Sequence, residues 1–133
     1  MNAEKHNEYI LLFRGPHWDE GISPEELQHR MDKVMAWFDG LKQRGVVKGG
    51  QPLGEQRKIV SGKNRTVADG PFAESKEAIG GYLLLQVNNL DEALAIAKSN
   101  PTLEYGISIE VRPVLEECPV FERAKESMLN AAA

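Results

Sequence analysis

Side chains able to do chemistry gather at three places in this 133-residue sequence. The first is His17-Trp18-Asp19-Glu20, an imidazole beside two carboxylates and an indole. Such an imidazole can exchange a proton or bind a metal, and the indole offers a flat wall for a ring. The same four residues also suit an exposed acidic loop with one half-buried tryptophan. The second place is Asp69-Gly70-Pro71-Phe72-Ala73-Glu74-Ser75-Lys76-Glu77. Asp69 and Glu74 read as carboxylates lining a pocket, with Lys76 as their counter-charge. The opening Asp-Gly-Pro reads equally well as a turn, because Asp bonds forward to the backbone, Gly takes positive φ and Pro fixes the next residue. The third place joins Arg14, Glu110 and Arg112, where an arginine can clamp a carboxylate or form a surface ion pair. The candidate ligand-binding residues are therefore Arg14, His17, Asp69, Glu74, Lys76 and Arg112, and no catalytic residue is named.

Other chemistries find little support. The three histidines show no His-x-His or His-x-x-x-His spacing, and the single Cys118 excludes a cysteine-based metal site. Gly49-Gly50 and Gly80-Gly81 lack the spacing of a phosphate loop. No metal and no cofactor are expected. A net charge of −4 with no Lys/Arg run beyond two residues argues against nucleic acid or an anionic membrane as partner. The apolar run Tyr82-Leu83-Leu84-Leu85 is far too short to span a bilayer, and Met1 to Glu8 is polar, without a secretion-signal pattern. The expected compartment is the cytoplasm.

The elements that must position these residues follow from periodicity. Tyr9 to Arg14 is a nearly continuous apolar run before Gly15-Pro16, the pattern of a strand buried on both faces. Ser23, Pro24 and Glu26 mark a helix start with a capping box. Leu27, Met31, Val34, Phe38 and Leu41 then form one apolar stripe, and Gly45 ends the helix. Val46 to Leu53 is a weaker strand, loosened by Gly49, Gly50 and Pro52. Lys58–Ser61 and Arg65–Ala68, around Gly62, predict a hairpin. After the Asp69–Glu77 loop, Tyr82 to Val87 is a strand. Asn89 caps a second helix with inner face Leu90, Ala93, Leu94 and Ala97, stopping at Asn100 before Pro101. Ile107, Ile109 and Val111 alternate with polar residues as a last strand, and Val120 to Leu129 predicts a terminal helix on Val120, Phe121, Ala124 and Met128.

The order gives an α+β, ferredoxin-like βαββαβ domain with a β-hairpin insert. Its expected limits are a flexible 1–8, a domain at 9–118 and a C-terminal helix and tail at 119–133. Two helices cover one face of the sheet. The mostly apolar strands call for a cover on the other, which a second copy provides, so a homodimer is expected.

The run Val67 to Glu77, followed by Gly80-Gly81-Tyr82, resembles the DGPF-domain branch of the YCII-related superfamily. Leu11-Leu12-Phe13-Arg14-Gly15, Leu90-Asp91-Glu92-Ala93 and Ile109-Glu110-Val111-Arg112-Pro113 extend the resemblance from Tyr9 to Pro113. It implies a dimeric α+β barrel. In the YCII branch a first-helix histidine and an aspartate before a proline after the second helix are proposed as an acid/base pair. One relative is a dehydrochlorinase acting on an aromatic ring. DGPF members are also often encoded beside sigma-factor-like proteins, which implies a regulatory partner. Here the aspartate position falls on Asn100, which has no titrating carboxylate. The histidine position falls near Lys33, with His29 matching after a shift and lying about 200° around the helix from Leu27.

Two expectations follow. The first is a small-molecule-binding dimeric barrel with cofactor-independent, lyase-like activity, its pocket built by the hairpin, the Asp69–Glu77 loop and the His17–Glu20 loop. The alternative is a non-catalytic accessory or regulatory protein, which predicts an exposed apolar patch beyond the dimer interface.

Overall fold

The computed structural model describes residues 7–70 and 78–132. Four strands form one antiparallel sheet: β1 (Glu8–Arg14), β2 (Val47–Pro52), β5 (Ile79–Gln86) and β6 (Ser108–Pro113), in the order β2-β5-β1-β6. Strands β3 (Lys58–Ser61) and β4 (Thr66–Asp69) pair with each other as a separate hairpin inserted between β2 and β5. Helices α1 (Pro24–Arg44) and α2 (Leu90–Lys98) make the two crossovers, and α3 (Pro119–Ala132) ends the chain. This is the ferredoxin-like order with a hairpin insert. None of these helices is long and apolar enough to cross a membrane.

The helix ends form where the sequence places them. Ser23 Oγ accepts from Glu26 N at 3.1 Å, Pro24 takes the first turn, and Gly45 closes α1 at φ 70°. The capping box is not reciprocal, however: the Glu26 carboxylate turns to Arg30 Nε, 2.9 Å away, because a charged donor outcompetes a backbone amide. Asn89 caps α2 through Glu92 N at 2.9 Å. The buried face of α2 is Ala93, Ile96 and Ala97, while Leu90, expected inside, is exposed. A turn unforeseen from sequence follows, a 3-10 helix at Pro101–Tyr105 capped by Asn100.

Tyr9, Leu11, Leu83 and Leu85 face α1 and α2 and meet Leu41, Ala93 and Ile96 in the core. The intervening residues Ile10, Leu12, Tyr82 and Leu84 point to the opposite face and are only half-buried. β1 is thus buried on one face within a single chain, where its apolar run predicts two. The terminal helix forms as expected, but Val120, Phe121 and Met128 are exposed rather than packed inward. The hairpin strands are exposed along their whole length.

Candidate functional site

The site is built where β1 ends. Its register against β5 shifts between Phe13 and Arg14, and Gly15 takes φ 142°. A Cβ at Gly15 would stand 2.8 Å from Gly106 O, so only glycine lets the chain leave this close to the start of β6. The loop then runs to Trp18, which stacks on Tyr105 with ring centroids 6.1 Å apart. Arg30 lies 4.0 Å over the Tyr105 ring and donates from Nη1 to Trp18 O at 2.6 Å. The hydrogen bond from Arg30 holds the Glu26 carboxyl below its usual range. Within this cluster Tyr105 Oη is buried with no hydrogen-bond partner among the described residues. Loop, α1 and 3-10 helix are therefore locked together.

This lock leaves a cavity of about 750 Å³ between α1 and the sheet. Phe13, Val47 and Leu83 line it from the sheet. Val34, Phe38 and Lys42, one helical turn apart each, line it from α1. Asn100, Thr102 and Ile107 also contribute to its wall. So does His17, whose Nε2 sits 3.1 Å from Glu55 Oε1, with the His17 side chain partly and that of Glu55 largely exposed. Glu55 belongs to the segment between β2 and the hairpin.

The residues singled out from sequence divide. Arg14 and His17 both line the cavity, but Arg14 commits its Nη1 to Glu110 Oε1 at 2.6 Å. Arg112 lies 3.8 Å from the same Glu110 and is not part of the lining. Asp69, with a side chain 82% exposed, pairs with Lys58 on the hairpin and is likewise outside the described lining. Glu74 and Lys76 lie outside the described residues; Ala78, the first described residue after them, is on the cavity wall. The His17–Glu20 loop thus borders the cavity through His17, Trp18 and Asp19, whereas hairpin residues 58–69 do not. The segment between β2 and β3 takes the place expected of the hairpin. On α1, His29 is exposed and Lys33 stands 3.7 Å from Glu104. Cys118 is free and exposed.

Sequence reading missed Val34, Phe38, Lys42, Asn100 and Glu55 as cavity residues. Val34 and Phe38 belong to the stripe read as core, and periodicity does not distinguish a wall from a core. For Asn100 the sequence does carry a signal: Asn-Pro-Thr is a capping turn, and a cap inside a domain buries its amide.

Fold and site together define a ferredoxin-like α+β domain with a ligand-sized cavity under its first helix. The chain matches the model of the YCII-related domain over residues 5–117, and it belongs to that family. It is similar to an uncharacterised protein of Rhizobium meliloti (strain 1021), 34% identical over 108 residues, covering 72% of this chain and 85% of the relative. Among solved structures it is similar to 5-chloro-2-hydroxyhydroquinone dehydrochlorinase from Burkholderia phenoliruptrix AC1100, in complex with 2,5-dihydroxybenzoquinone. That likeness has a TM-score of 0.43 at 17% identity, over 82% of this chain and 95% of the other.

Proposed function

We propose that this chain binds a small, largely apolar molecule in the cavity between α1 and the sheet, and that it supports a cofactor-independent, lyase-like reaction there. The observation that carries the reading is the cavity itself. Its volume of about 750 Å³ falls in the range of small-molecule sites, roughly 300–1,000 Å³. Its apolar walls come from Phe13, Val34, Phe38 and Leu83, and apolar surface outweighs polar surface across the lining. For the chemistry, the His17 imidazole, held by Glu55, is the natural proton acceptor. In an elimination it would take a proton from carbon as the C–H electrons form a double bond and the leaving group departs with its electron pair.

Replacing Val34 by phenylalanine should fill part of the cavity from the α1 side. Binding of ring-sized probes, followed by NMR on the labelled chain, should weaken about tenfold, the equivalent of roughly 1.4 kcal/mol. Unchanged affinity in a folded V34F protein would refute the cavity as the binding site.

The assembly we propose is a homodimer formed across the open sheet face. Ile10 and Leu84 are cross-strand partners there, as are Leu12 and Tyr82, so the half-buried apolar side chains form one block. Placing a charge in its centre should separate the copies: L12K is expected to sediment as a monomer where the wild type sediments as a dimer. A wild type that is monomeric at micromolar concentration refutes the assembly.

A second reading, a non-catalytic accessory protein, rests on α3, where Val120, Phe121, Met128 and Leu129 are exposed. The probe titration separates the two, because a protein acting only through α3 leaves the cavity resonances unmoved.

A further inference from the structure

Asn100 is 5% exposed and lies on the cavity wall. Its amide has one allowed orientation. The backbone N–H of Thr102 can only donate, so the atom 2.7 Å from it is the carbonyl oxygen Oδ1. The Thr102 hydroxyl donates to the same oxygen, since a carboxamide oxygen has no proton to give. Both bonds hold Oδ1 in the turn that opens the 3-10 helix. The NH₂ group is the polar end that remains, and among the described residues Nδ2 has no hydrogen-bond partner. A donor left unpaired by the protein on a cavity wall can pair with an acceptor on a bound molecule.

Building on the cavity reading above, we infer that Asn100 orients the ligand and that the ligand presents an oxygen acceptor, a carbonyl or phenolic oxygen, on a compact apolar body. The chemistry of both halves is on the wall. Phe13, Val34, Phe38 and Leu83 accept the apolar body. Asn100 supplies a donor whose direction is fixed before the ligand arrives, so little ordering is left to do on binding. A carboxamide neither takes nor gives a proton in neutral water, so its role is recognition and orientation. A ligand offering only donors at this position would face N–H against N–H and is excluded.

The test uses the full chain labelled with ¹⁵N and two probes of similar size, acetophenone with a carbonyl oxygen and ethylbenzene without one. Acetophenone is expected to bind about five- to tenfold more tightly and to shift the Asn100 side-chain amide resonances. N100D keeps an oxygen for the Thr102 amide but turns a carboxylate oxygen toward the ligand. In it the preference for acetophenone over ethylbenzene should vanish or reverse. Equal affinities for the wild type, an unmoved Asn100 amide with acetophenone bound, or a preference surviving in N100D would each overturn the assignment while leaving the cavity intact. Failure of both probes to move any cavity resonance overturns the cavity reading and this assignment with it. If N100D does not fold, the two-probe comparison on the wild type decides the matter.

Discussion

Leu11→Ala is expected to cost about 3 kcal/mol of folding stability, within the 2–5 kcal/mol typical of a fully buried leucine. Leu11 is 0% exposed in β1, one of the two inner strands, with Leu83 opposite on β5 and Val111 opposite on β6. Both neighbours are held in register by strand pairing, so neither can collapse into the space that a truncated side chain leaves. The loss therefore includes both the transfer of the missing carbons and the void that remains. Urea denaturation at fixed protein concentration should show a lower midpoint at an unchanged slope. A loss below about 1 kcal/mol would mean that β1 does not run through the middle of the core.

Gly50→Ala should both destabilise the fold and disturb the site. Gly50 lies on β2 opposite Leu83, and a Cβ there would stand 2.6 Å from Tyr82 O and 3.0 Å from Leu83 Cδ1. The closest of these atoms is backbone, so relief requires β2 to move off β5. The expected cost is about 1–3 kcal/mol. β2 also carries Val47 to the cavity wall, and ring-sized probes should bind more weakly as that wall shifts. Gly49 is the control, because a Cβ there meets nothing within 4 Å. G49A should be neutral or slightly stabilising, by about 0.5 kcal/mol, through a less flexible unfolded chain. Similar stabilities for G49A and G50A would contradict the pairing of β2 with β5 as described.

Together the two substitutions probe the two halves of the proposal, core and cavity. L11A acts on the side of the helices that is packed, beside Ile96 and Ala97. G50A acts where the helix layer stands off the sheet and leaves space. That the same face of one sheet holds both explains why the apolar stripe of α1 serves two purposes. Leu41 closes the core, Phe38 packs against that core and also borders the cavity, and Val34 borders the cavity.

Much of this architecture was legible in the residues alone. The Ser23 and Asn89 caps, the stop at Gly45 and the strand runs depend on local backbone chemistry, which acts over a few residues and leaves its mark in a few residues. Element order then restricts the sheet to very few topologies, and family-specific residues reach the same fold. Tertiary structure decided the rest, because a cavity depends on how far two layers stand apart, a quantity that no local pattern encodes. Asn100 shows the difference well. Its sequence context announces a cap and the loss of a carboxylate, but only the packing of the 3-10 helix against the first loop puts its amide on a cavity wall. Asp69 shows the converse: its motif is distinctive in sequence, yet the hairpin carries it out to Lys58, away from the described lining. Spacing along the chain selects turns and helices, whereas convergence of side chains from distant segments is set by the fold as a whole.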